Sequence, residues 1–236
     1  MNAIRPIAAS ARLPDTRRMT ETRITDAPNW LYLLREFYEL YRFLPSGGSD
    51  KIRAHQRQVR EAISRVLKAR PELKLEPAEE LPVTAHLARA LNEAEGYHTA
   101  PVTRSISAIA PSLIWRYGYE RVPRGLKSAY GYAEFCGPSG PVVTDEVILG
   151  CVLFAPGCTY PAHAHKGITE SYVCLSGAVS ENHQGVWAPG SMIFNPPEHM
   201  HRITVSAREP ALLAYAWIGP KTDLTDQKMV FTRPRR

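Results

Sequence analysis

Gly157-Cys-Thr-Tyr-Pro-Ala-His163-Ala-His165-Lys-Gly-Ile-Thr-Glu170-Ser-Tyr172-Val-Cys-Leu-Ser-Gly177 is the stretch from which the fold can be read. His163 and His165 stand two apart, so on a strand both imidazoles face one side. Four loop-like residues follow, and Glu170 opens an apolar run with the character of a returning strand. His201 lies about thirty residues further on, placed to close the set. Three imidazole nitrogens and one carboxylate oxygen suit a single divalent transition metal (Zn, Fe, Mn, Ni or Co) and leave room for a ligand. A lone His-x-His is commonly a pair of surface histidines. Here the acid, the flanking glycines and the later His arrive together, and the metal reading is the stronger.

Short, β-rich segments surround that stretch. Residues 142–154, 170–175, 185–187, 191–195, 202–205 and 212–218 are separated by Gly or Pro. Such spacing predicts a barrel or sandwich. Upstream, the period changes. Trp30, Leu34, Phe37, Tyr38 and Tyr41 recur at helical spacing, as do Ile52, Val59, Ile63, Val66 and Leu67, and then Leu87, Ala88, Leu91 and Ala94. The expected organisation is a flexible tail over 1–28, a helical region of about three helices over 29–100, and a β-barrel over 101–236. The helical stripes are most simply core that packs on the barrel.

Charge and composition exclude several classes. Of 236 residues, 44% are hydrophobic, enough for a buried core. The net charge of +6 is spread evenly. Residues 1–100 hold sixteen Lys/Arg against thirteen Asp/Glu, and residues 101–236 hold thirteen against ten, so each part is only +3. No basic stripe of the kind nucleic acid requires stands out. No apolar run approaches the ~18 residues of a membrane helix. The arginines of the first thirty residues, with no apolar segment between them, do not read as a secretory signal. The four cysteines, Cys136, Cys151, Cys158 and Cys174, show no CxxC pairing and predict reduced thiols in a cytoplasmic protein.

Tyr172 sits two residues past Glu170, so the pleat turns both side chains inward. A free phenol ionises near ~10. A divalent cation beside it stabilises the phenolate and makes it a usable base. The alternative is that Tyr172 packs or hydrogen-bonds a ligand. Tyr160, three residues before His163, is a second phenol at the mouth of the site.

The quoted stretch resembles the first cupin motif, G-x5-H-x-H-x4-E-x6-G, at Gly157, His163, His165, Glu170 and Gly177. The second motif, G-x5-P-x-G-x2-H-x3-N, is matched by Gly190, Pro196 and His201. Glu198 stands where that motif has Gly, and Val205 where it has Asn. The departures bear on the local turn. His199, with the same parity, is a competing ligand; register with the motif favours His201. The resemblance implies a jelly-roll cupin barrel, mainly β, behind the helical N-terminal region. Cupins are often dimers, and the resemblance admits a homodimer without fixing it.

Within the cupins, the run His-x-His-x4-Glu-x-Tyr, the later His and the helix-then-barrel layout resemble the bacterial dimethylsulfoniopropionate (DMSP) lyases. That resemblance implies a small zwitterionic substrate, held by its carboxylate at the metal. It implies Tyr172 as the base that takes the α-proton, with Tyr160 as a second catalytic phenol. Release of dimethyl sulfide and acrylate would follow. An aromatic surround for the sulfonium is implied, with Trp187, Phe194 and Trp217 as candidates and His199 as a further substrate contact. Two other classes share these residues. One is a cupin oxygenase using a non-haem metal on a small organic substrate. The other is a ligand-sensing regulator, for which Arg53, Arg57 and Arg60 on one helical face make the best case.

Overall fold

The computed structural model describes residues 22–119 and 122–227, and the backbone of 229–231. Helix α1, Pro28–Phe43, starts on a proline whose fixed φ suits a first turn. It buries Trp30, Leu33, Leu34, Phe37, Leu40 and Tyr41, a stripe at three- and four-residue spacing. Helix α2, Asp50–Ala69, is capped by the Ser49 hydroxyl, which accepts from the Ile52 N–H at 3.3 Å. Its buried stripe includes two polar residues, His55 and Gln56. Two shorter helices follow, α3 at Leu87–Ala94 and α4 at Ala100–Ile109.

The change from helix to strand falls later than the expected boundary at residue 101. Pro101 stands at the start of α4, where a missing N–H costs nothing, and Val102, Ile106 and Ile109 continue a helical stripe into the core. In α3 the expected Leu91 and Ala94 are buried, but Ala90 is buried in place of the expected Ala88, which is exposed. Most of the expected tail, residues 1–21, lies outside the described residues. Its last part is held: Ile24 is fully buried, and the Leu73 N–H donates to the Thr22 carbonyl at 2.7 Å.

Strands β1 to β10 run Tyr130–Gly137, Val142–Val143, Ile148–Phe154, Thr159–His165, Thr169–Ser176, Val179–Glu181, Met192–Asn195, His201–Val205, Ala211–Ile218 and Met229–Phe231. Six form one sheet in the order β2-β1-β3-β9-β5-β7, and four form the facing sheet, β10-β4-β8-β6. All pairings are antiparallel except β1 with β2. The Gly185–Trp187 segment, expected as a strand, makes only an isolated bridge from Trp187 to Val179. Strand β1 carries no β-branched residue, which hides it in the sequence.

The six-stranded sheet is buried on both faces. Ala133, Leu149, Cys151, Leu153, Val173, Leu175, Leu212, Ala214 and Ala216 point outward and pack with α1 and α2 in one core. Ile148, Val152, Phe154, Tyr172, Cys174, Leu213 and Tyr215 point inward and pack against the four-stranded sheet in a second core. Helices, sheet and sheet therefore make three layers. Double burial explains why all seven residues of β3 are buried and why that strand shows no polar alternation. All four cysteines are buried and free.

Candidate active site and metal centre

The inner core opens into a cavity of about 60 Å³, lined on one side by His163, His165, Glu170, Tyr172 and Trp217. Cross-strand register builds it. His163 on β4 stands opposite His201 on β8, and Glu170 on β5 stands opposite Trp217 on β9. Ligand atoms of His163, His165, Glu170 and His201 all lie within 4.8 Å of one another, and all four residues are buried.

Their neighbours aim them at a common point. The His163 Nδ1–H donates to the Pro161 carbonyl at 3.0 Å, and the His201 Nδ1–H donates to the His199 carbonyl at 3.0 Å. Each bond places a proton on Nδ1, so Nε2 is the nitrogen that a metal would use. The Trp217 Nε1–H donates to Glu170 Oε1 at 2.7 Å and fixes the carboxylate plane. His201 Nε2 comes within 2.9 Å of Glu170 Oε2, yet neither atom has a hydrogen bond, and His165 Nε2 has none either. Buried polar atoms left unpaired cost roughly 1–3 kcal/mol each. Three converging orphans from two imidazoles and one carboxylate are the donor set that a divalent cation satisfies, so the residues fit the metal.

The electrostatics agree. Burial alone would raise the Glu170 carboxyl, but the His165 and His201 rings beside it hold it well below the usual carboxylate range. Burial and then the neighbouring His201 push His163 down to about 3, the neutral form a metal requires. Burial, followed by the Glu170 carboxylate, pushes the Tyr172 phenol well above its ordinary value.

The remaining expected site residues separate. Tyr160 is not at the mouth but inside. A β-bulge between Tyr160 and His163 changes the parity of β4, so both face inward. The Tyr160 hydroxyl donates to the Tyr130 hydroxyl at 3.2 Å, and its ring lies 4.8 Å from that of His163. Trp217 lines the cavity and holds Glu170. Phe194 does not reach the cavity. It pairs with Ser171, an outward residue, and its ring packs 5.3 Å from His55 of α2. Trp187 packs at the margin of the inner core and does not line the cavity. The His199 side chain is exposed; its carbonyl, not its ring, serves the site. Tyr130, Tyr132, Glu134 and Tyr215 also line the cavity, and the sequence did not single them out as site residues. Their signal is strand alternation: 130, 132 and 134 on β1, and 215 with 217 on β9.

Glu198 adopts φ +63°, the left-handed region where the second cupin motif has glycine. The turn is kept despite the departure, and the Glu198 N–H donates to the His165 carbonyl at 2.9 Å.

A double-layered barrel with three histidines and a glutamate on facing strands has the layout of a cupin, with a cluster that could hold a metal ion. Comparison with known proteins narrows this. The sequence profile of the dimethylsulfoniopropionate lyase family matches residues 55–213. A Cereibacter sphaeroides protein assigned as dimethylsulfoniopropionate lyase DddL is 46% identical over 221 residues, covering 94% of this chain and 95% of that protein. The chain belongs to the dimethylsulfoniopropionate lyase family, a family of carbon–sulfur lyases. In fold it is similar to a chain from the crystal structures of the DMSP lyases RdDddP and RnDddQII, with TM-score 0.65, 23% identity and coverage of 87% and 98%. DddQ of Ruegeria pomeroyi DSS-3 is similar with TM-score 0.63, 19% identity and coverage of 89% and 99%.

Proposed function

We propose that this chain cleaves DMSP to dimethyl sulfide and acrylate, with Tyr172 as the general base. His163, His165, Glu170 and His201 would hold one divalent metal, which supplies a Lewis acid for the substrate carboxylate. The observation that carries the reading is that Tyr172 lines one cavity with His163, His165 and Glu170 of the ligand set.

Each bond change is accounted for. The Tyr172 phenolate oxygen takes the α-proton of the substrate. The released pair forms the α–β double bond, and the β-carbon–sulfur bond breaks. Sulfur keeps its pair and leaves as neutral dimethyl sulfide, so no acid is needed at the leaving group. The phenol then returns its proton to solvent. Burial and the Glu170 carboxylate both oppose the phenolate. Once Glu170 shares its charge with a cation, that opposition falls, which couples base strength to metal occupancy. Burial excludes water from the carbanion-like stage. Tyr160, hydrogen-bonded to Tyr130, is proposed to position the substrate.

Among the described residues no helix is long and apolar enough to cross a membrane. Four free thiols support a reducing compartment, and we assign the cytoplasm.

The test is headspace dimethyl sulfide from metal-loaded protein given DMSP. Tyr172→Phe keeps the ring packing and should lower kcat by roughly 10²-fold or more with metal content unchanged. Near-normal turnover in Tyr172→Phe would move the base to Tyr160. No dimethyl sulfide from the wild type with any first-row metal would sink the lyase reading.

A further inference from the structure

We infer that Glu134 is the counter-ion for the cationic end of the substrate and sets the preference for a zwitterion. This rests on the DMSP reading. The cavity lining contains two carboxylates, Glu170 and Glu134. Glu170 is committed to Trp217 and the imidazoles. Glu134 lies on β1, at the other end of a single row across the sheet. Glu134 pairs with Gly150, Gly150 with Tyr215, and Tyr215 with Tyr172. Three strand spacings put the Glu134 and Tyr172 backbones roughly 14 Å apart along the curved sheet. Both side chains line the one cavity.

Gly150 makes the row continuous. A Cβ there would collide with the Tyr215 phenol, so that ring lies across the glycine toward β1. Tyr130, Tyr132 and Tyr215 line the same end of the cavity. A sulfonium has no N–H or O–H to donate. It can be recognised only through its charge and through contact with ring faces. One carboxylate among three phenol rings offers both.

A structural role alone does not account for the charge. Glu134 Oε1 accepts from the Ser139 N–H at 3.0 Å and so holds the turn after β1. A glutamine carbonyl would do the same without desolvating a charge. Burial raises the Glu134 carboxyl to about 7, against the opposing pull of the turn N–H groups and of Arg116. Arg116 is itself drawn to Glu76 at 3.7 Å. A cation in the cavity would favour the ionised form and be favoured by it.

Calorimetry on metal-loaded protein tests this without turnover, so it stands apart from the lyase assay. Two probes are used: propionate, which carries only the acid end, and 3-(trimethylammonio)propionate, which adds a cation without donors. Wild type should bind the zwitterion about tenfold or more tighter than propionate, the scale of one partly buried charge pair. Glu134→Gln keeps the acceptor for Ser139. It should bring that ratio to about one, leave propionate binding unchanged and not lower the melting temperature. No preference in the wild type would overturn the inference, whatever the variant does. So would a ratio that survives in Glu134→Gln, or an equal loss of both probes.

Discussion

Trp217 holds the one carboxylate of the proposed metal site. Its indole N–H meets Glu170 Oε1 at 2.7 Å, while the ring stands 4.4 Å from that of His165. Trp217→Phe keeps most of the packing and removes the donor. Loss of such a supporting contact typically weakens metal binding 10–100-fold, so residual metal after dialysis against graded chelator should fall by about that factor, with the fold retained by circular dichroism. Glu198 makes a different point. Its φ of +63° costs a side-chain-bearing residue roughly 1–2 kcal/mol, partly offset by the larger unfolded-state freedom of glycine. Glu198→Gly should therefore stabilise by about 0.5–1 kcal/mol in denaturant titrations; a loss of stability would mean that the Glu198 side chain is itself holding the turn. At this scale His163, His165, Glu170 and Tyr172 are legible in the sequence, because parity along one strand needs no tertiary information. Phe194 is not. Its facing depends on pairing with Ser171, a register that no local pattern encodes.

Strand β5 joins the two cores. Glu170, Tyr172 and Cys174 face the barrel, while Ser171, Val173 and Leu175 face the helices. Ser171 is the polar link on the helical side: its hydroxyl lies 2.8 Å from the Tyr41 hydroxyl of α1 and 2.8 Å from His55 Nε2 of α2. A serine beside a histidine suggests a nucleophile, but both are buried beneath the sheet and line no part of the cavity. Burial pushes His55 down to about 4, so it is neutral in the native state and takes a proton near 6.5 when unfolded. Between those values the unfolded chain binds more protons. Stability from His55 is thus fully present above about 6.5 and lost as pH falls toward 4. Denaturant midpoints measured from pH 7 to pH 4.5 should fall less steeply in His55→Gln than in wild type. Parallel slopes would show that another group controls the acid limb. The sequence places both stripes of α1 and α2 but not this network, since it records only that His55 and Gln56 interrupt an apolar face.

At the scale of the whole molecule, the helical layer covers the outer face of a sheet whose inner face lines the cavity, so that sheet is buried on both sides. Strand β3 and the outward residues of β5 and β9 would otherwise face water. The general plan, helices followed by barrel, is readable from the change of period. The extent of the helical part is not, because Pro101 looks like a break and is the first turn of α4. Burial also has a thermodynamic consequence. His165 Nε2, Glu170 Oε2 and His201 Nε2 are buried and make no hydrogen bond, a local cost that a metal bound there would remove. Metal binding to the native state alone adds stability by mass action, about 4 kcal/mol at a thousandfold excess over Kd. Chelator-treated protein should therefore melt several degrees below the metal-loaded form, and melting should rise with added metal. His201→Ala should abolish that rise and lose bound metal. His199→Ala should keep both: the carbonyl that accepts from His201 Nδ1–H is retained by alanine, and only the ring stacked 6.4 Å from that of His201 is lost. Metal retained in His201→Ala but lost in His199→Ala would reverse the assignment of the fourth ligand.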